Sequence, residues 1–218
     1  MTSFQELCMA QIKKAMEYKG RNVMFARVLG DASCMASVIT LNHVIVIYIY
    51  DDGEAGFDVD GTRWEMFEKY DYDSENDLIE AFCKKILEEL AVERPGVSGN
   101  KLNAFQQSCI DQIKKVVSQT GKEVEFAVIQ DSKQIFHMAT ITLPTHLLVL
   151  YVYPEGKTGL QVDGLKLEFF KKKQYKSEEE LISAFCERIE GVILNREPGK
   201  SLLSKFWSKV MNKFRVHP

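Results

Sequence analysis

The feature that most constrains this chain is that it repeats itself. FQELCMAQIKKAMEYKGRNVMFA, residues 4–26, aligns without gaps with FQQSCIDQIKKVVSQTGKEVEFA, residues 105–127, at an offset of 101. Two additional residues in the following loop raise the offset to 103, at which HVIVIYIYDDGEAGFDVDG (43–61) aligns with HLLVLYVYPEGKTGLQVDG (146–164). At that offset DLIEAFCKKI (77–86) also matches ELISAFCERI (180–189), and Arg94-Pro95-Gly96 aligns with Glu197-Pro198-Gly199. Agreement that runs through several segments in one order is the signature of a repeated structural unit. The expected division is a first repeat at 1–98, a second at 99–198 and a C-terminal segment at 199–218, with the joint near residues 95–101.

Each copy can be read once and checked on its twin. Phe4, Cys8, Ile12 and Ala15, with Phe105, Cys109, Ile113 and Val116, recur at helical spacing and stop at Gly20 and Gly121, where glycine can take a left-handed C-terminal cap. Three β-rich runs follow at 23–29, 35–41 and 44–50, separated by short turns, as in an antiparallel meander. Asp60-Gly61 and Asp163-Gly164 then mark a hairpin in each copy. Ser74 and Ser177 are expected to cap a last helix, with Glu180 completing a capping box on Ser177. That helix carries Leu78, Ile79, Phe82, Cys83, Ile86 and Leu87, or Leu181, Ile182, Phe185, Cys186 and Ile189. The unit is therefore α-β-β-β-(β-β)-α, an antiparallel sheet with two flanking helices, and the fold class is α+β. The third strands are apolar on both faces. A second cover is needed, and the other copy supplies it as a pseudo-twofold partner.

Composition excludes rather than identifies. Of 218 residues, 45% are hydrophobic and 27% charged, which rules out a disordered, collagen-like or coiled-coil chain. The N-terminus lacks a basic lead followed by an apolar run, so no signal peptide is expected. The longest apolar runs, 44–50 and 147–153, fall far short of the ~20 residues of a spanning helix. Five cysteines without CxxC or Cys/His spacing predict reduced thiols, a cytoplasmic location and no metal. No P-loop, GxSxG, HExxH or GxGxxG motif occurs. Accordingly no catalytic residue and no cofactor are assigned.

His43 and His146 occupy equivalent positions before the third strand; they are read as turn residues, with paired ligands or bases as the alternative. Asp51, Asp52, Glu54, Asp58 and Asp60 form an acidic cluster that fails as a calcium loop, because Asp58-Val59-Asp60-Gly61 puts glycine at the fourth position rather than the sixth. In the second copy Pro154, Lys157 and Gln161 replace three of these charges, so a solvated acidic loop is expected. Tyr48, Tyr50, Tyr151 and Tyr153 alternate along the third strands and face one side, suited to packing between the copies. Lys171, Lys172, Lys173 and Lys176 form a basic run in the second copy alone.

Charge is unevenly distributed. The net −3 of the whole chain divides into −8 for residues 1–98, 0 for 99–198 and +5 for 199–218. In the last segment Leu203, Phe206, Trp207, Val210, Met211 and Phe214 share a helical face edged by Lys205, Lys209 and Lys213. This basic amphipathic helix can pack on the acidic first copy, enter a partner's groove or lie on an anionic membrane surface.

The reading that follows is a non-catalytic cytosolic protein-binding module, of adaptor, chaperone-like or regulatory kind, with another protein as partner. The alternative is a small-ligand receptor or enzyme with an inter-copy pocket of His43, His146, Tyr48, Tyr50, Tyr151 and Tyr153. Membrane-surface or nucleic-acid association through the basic tail comes third. Nucleic acid is disfavoured by the net charge.

Overall fold

A computed structural model describes residues 1–28, 33–40, 43–92, 102–130 and 134–194. The first unit runs α1 (Ser3–Tyr18), β1 (Phe25–Arg27), β2 (Cys34–Ile39), β3 (Val44–Ile49), β4 (Ala55–Val59), β5 (Arg63–Phe67) and α2 (Glu75–Ala91). The second runs α3 (Ala104–Gln119), β6 (Phe126–Gln130), β7 (Ile135–Thr142), β8 (Leu147–Tyr153), β9 (Lys157–Val162), β10 (Glu168–Lys171) and α4 (Glu178–Ile193). Each unit forms a five-stranded antiparallel meander, in order β1-β2-β3-β4-β5 and β10-β9-β8-β7-β6. The chain is α+β, and among the described residues no helix is long and apolar enough to cross a membrane.

The helices form where their ends are satisfied and one face is apolar. Thr2 caps α1 and Asn103 caps α3, each in a reciprocal box with Gln5 or Gln106. Gly20 and Gly121 follow their C-termini at φ +68 and +73. There Arg21 and Lys122 N–H donate back to Met16 and Val117 carbonyls, closing the last turn. The buried stripe continues through Met16 and Val117, because i+4 steps from Ile12 and Ile113 keep to the same face; Val116 packs partly buried at its edge, and Ala15 is half-buried. Ser74 and Ser177 cap α2 and α4. The expected box on Ser177 is not the one formed: Glu180 Oε2 accepts from the Lys176 N–H, one residue earlier, at 2.7 Å.

Strand alternation builds three apolar layers. Ile45, Ile47 and Ile49 of β3 face α1 and α2, in a core with Phe57, Phe67, Phe82, Cys8 and Ile12. Leu148, Leu150 and Val152 of β8 do the same under α3 and α4. The opposite faces of the two sheets meet: Val44, Val46 and Tyr48 pack with Leu147, Val149 and Tyr151, together with Met35, Met138, Ala26 and Ala127. Both third strands are thus buried on both sides, which is why they read as continuous apolar runs. Polar contacts also cross this layer. Ser37 Oγ lies 2.7 Å from Thr140 Oγ1, and Arg27 N–H donates to the Pro144 carbonyl at 2.9 Å.

Candidate functional site

The two hairpins that begin the site are tight because of their Asp-Gly pairs. Asp60 and Gly61 both have positive φ (61° and 69°), and Thr62 N–H donates to the Val59 carbonyl at 3.1 Å. Asp163 and Gly164 repeat this at 56° and 70°, closed by Leu165 N–H to Val162. Positive φ at both central residues is the type I′ pattern, whose twist matches that of the flanking strands.

A non-glycine residue in this conformation needs compensation, and the histidines supply it. Asp60 Oδ1 accepts from Val44 N–H at 2.8 Å, while Oδ2 lies 2.8 Å from His43 Nδ1. Asp163 accepts from Leu147 N–H at 2.8 Å and lies 2.6 Å from His146 Nδ1. A carboxylate only accepts, so the bond's proton sits on Nδ1. Asp60 is 2% exposed and His43 5%. This part of the acidic cluster is therefore not the solvated loop the sequence suggested, because folding brings a histidine seventeen residues away onto the carboxylate. Asp51 and Asp52 do remain exposed.

Each latched turn presses on the other unit. A Cβ added to Gly164 would stand 2.9 Å from Tyr48 Cε1, and one added to Gly61 would stand 2.9 Å from Tyr151 Oη. The contacts are reciprocal: hairpin of one unit, third-strand tyrosine of the other.

Beside the Gly164–Tyr48 contact lies a cleft of about 260 Å³ between the units. Ser33, Tyr48, Tyr50, Asp58 and Trp64 line it from the first unit, and Gln161, Asp163, Gly164 and Leu165 from the second. Asp58 and Trp64 are directly opposed across the β4–β5 ladder, and Tyr48 opposes Gly56 across β3–β4. Gly56 leaves room for the indole: a Cβ there would come within 3.3 Å of Trp64 Cζ2. Trp64 leans on Tyr48 with ring centroids 4.6 Å apart, yet stays 48% exposed. Burial raises the Asp58 carboxyl to about 6, with Asp60 adding to the rise and the backbone amides of Arg63 and Gly61 opposing it. Burial, with Asp58 nearby, also pushes the Tyr48 and Tyr151 phenols well above their usual range.

Of the residues expected in an inter-copy pocket, Tyr48 and Tyr50 line this cleft. Tyr151 lies against Gly61 and stacks on Tyr153 at 6.2 Å, and Tyr153 stacks on Phe136 at 5.1 Å. His146 reaches the cleft only through Asp163, and His43 is held at the other hairpin by Asp60. Sequence reasoning passed over Asp58 as a cleft acid, and Trp64 altogether. Counting outward from the Asp60-Gly61 turn would have opposed Asp58 to Arg63; Thr62 joins the loop and shifts the pairing by one residue, to Trp64.

The thiols are packed rather than poised. Cys8, Cys34, Cys109 and Cys186 are buried, Cys83 partly so, and all five are unpaired. Burial raises Cys83 to about 11 and Cys186 to about 12, and pushes Cys8 and Cys109 higher still. In the basic run, Lys172 Nζ pairs with Glu178 at 2.8 Å. The tail residues Leu203, Lys205, Phe206, Trp207, Lys209, Val210, Lys213 and Phe214 lie outside the described residues. Comparison with known proteins finds no matching family model, no matching curated protein and no matching solved structure.

Proposed function

We propose that the protein is a non-catalytic binding module made by tandem duplication, its two units a pseudo-twofold pair, and that it captures a basic segment of another protein. The observation that carries this reading is the divergence of two like units at their surfaces. Their cores match at most positions, whereas the first repeat carries net −8 and the second is neutral. An acidic face steers a basic partner and fixes which side it meets. The basic tail is read as a second contact, with a partner or an anionic membrane, and unpaired thiols accord with a cytoplasmic setting.

The test is affinity capture with the intact chain and with a chain ending at residue 198, scored for proteins and lipids at two salt concentrations. A protein captured at low salt and released at high salt supports the reading, and its loss on truncation assigns the tail a share. Capture of lipid alone, or of proteins indifferent to salt, overturns it.

A further inference from the structure

The two units differ at several residues in and around the cleft. At the offset of 103, Asp58 corresponds to Gln161, Trp64 to Leu167, Met66 to Phe169 and Glu54 to Lys157. In the second unit the aromatic faces are covered by the chain's own cations. Lys157 Nζ sits 4.0 Å from the Tyr153 ring centroid and 4.3 Å from that of Phe169, and Lys171 Nζ lies 5.6 Å from Phe169. The first unit keeps Tyr50 at the place of Tyr153 but has Glu54 where Lys157 stands, and adds an indole and a carboxylate. On one scaffold, the position of the covering lysine carries a glutamate, and an indole and a carboxylate stand where the second unit has Leu167 and Gln161.

We propose that the cleft between the units takes an N-methylated ammonium head group, held against Trp64 and Tyr50 with Asp58 facing its charge. The proposal rests on the protein-binding reading above and names what the acidic unit recognises. Aromatic faces attract cations through the ring quadrupole, most strongly where water is displaced. Methylation spreads the charge over apolar surface, so such a head group gives up less hydration than a bare ammonium, which is compact and strongly hydrated. Of the two cleft carboxylates, Asp163 is held by His146 and the Leu147 amide at the hairpin, whereas Asp58, bonded to the Arg63 and Gly61 amides, stands directly across the ladder from Trp64 and is the one beside the indole. A volume of about 260 Å³ is below the ~300–1,000 Å³ of pockets for whole drug-sized ligands, so a head group fits and a nucleotide does not.

The head group can belong to a methylated lysine of the partner or to a free quaternary amine, and the test separates them. In a Trp207→Phe background Trp64 is the sole tryptophan, so its fluorescence reports the cleft. Tetramethylammonium, choline, a short peptide bearing trimethyllysine, the same peptide with lysine, and one with the uncharged carbon isostere are titrated in turn. The expected result is saturable binding of the methylated cations. The isostere and the Asp58→Asn variant should each bind about tenfold more weakly, or ~1.4 kcal/mol. Calorimetry should find no binding to Trp64→Ala, with thermal unfolding confirming that both variants fold. A peptide at least tenfold tighter than choline assigns the site to a side chain, and equal affinity assigns it to a free amine. Equal binding of isostere and cation, or an unchanged Asp58→Asn, overturns the proposal. If the salt-sensitive partner is still captured by Asp58→Asn and Trp64→Ala and no amine binds, this inference fails and the protein-binding reading stands. If amines bind and no such partner is captured, the reverse holds.

Discussion

Replacing Gly164 with alanine tests whether the two units are locked by reciprocal turn-to-tyrosine contacts. Two costs arise. The residue sits at φ +70, where a side chain costs roughly 1–2 kcal/mol. The new Cβ would also stand 2.9 Å from Tyr48 Cε1 and 3.4 Å from Met35 Cε, both in the buried inter-sheet layer. Tyr48 cannot swing away freely, because Trp64 leans on its ring. Overpacking of this kind costs about 1–3 kcal/mol, so the total is roughly 2–5 kcal/mol. Gly121 provides the control: its φ is +73 and nothing lies within 4 Å of its added Cβ. Gly121→Ala should therefore show the backbone cost alone. The assay is urea unfolding of the parent, both single variants and Gly164→Ala combined with Tyr48→Ala. The expected excess of Gly164→Ala over Gly121→Ala is about 1–3 kcal/mol, and the double variant should recover most of that excess as coupling. Equal losses for the two glycines, or additive losses in the double variant, would refute the argument that Tyr48 holds the second hairpin.

Three further outcomes follow from the same geometry. His43→Ala removes the histidine from the buried Asp60 carboxylate, which keeps the Val44 amide, and should cost about 3 kcal/mol; His146→Ala, whose side chain is more exposed, should cost about half that in the same unfolding assay. Asp58→Asn should stabilise the protein at neutral pH. The folded carboxyl titrates near 6 rather than 3.8, so the folded state holds its proton more tightly and the parent loses stability as pH rises from about 4 to 6. The gain for Asp58→Asn should be near zero below pH 4 and level off above pH 6 at about 1–2 kcal/mol, a value reduced from ~1.4 kcal/mol per pKa unit because the group is partly exposed; a gain independent of pH would contradict this. Thiol labelling at pH 8, followed by mass spectrometry, should modify Cys83 first and reach Cys8 and Cys109 only at the rate of unfolding; Cys109 reacting as fast as Cys83 would be inconsistent with the packing.

The fold was legible because its signals are local and appear twice. Helix stripes, the glycines after α1 and α3, and the Asp-Gly turns all act within a few residues, and a repeat that preserves them removes most ambiguity. The two-sided burial of β3 and β8 could be read from VIVIYI and LLVLYVY, since a strand with one wet face does not look like that. The site was less legible, for a physical reason. Asp60 and His43 are seventeen residues apart, and Gly164 meets Tyr48 across the whole length of a unit. Those contacts depend on sheet register and on how two sheets face each other, and neither is written in any short window. Asp58 illustrates the difference. Its place on the strand before the hairpin follows from the Asp60-Gly61 pair, but its register opposite Trp64 and its position in a cleft shared with Gln161 and Gly164 do not.

Asp58 runs against the stability of its own fold. A half-buried carboxylate raised to about 6 weakens the folded state at neutral pH. The second unit shows that the scaffold accepts a neutral amide at the same position, since Gln161 occupies it and lines the same cleft. Packing alone therefore gives no reason for an acid there, nor for a tryptophan beside it that stays 48% exposed. Choices that break a local rule without a local gain mark functional positions more often than structural ones. A cation resolves both at once: it removes the burial penalty of the carboxylate and covers the indole. The second unit already performs half of that exchange internally, with Lys157 over Tyr153 and Phe169.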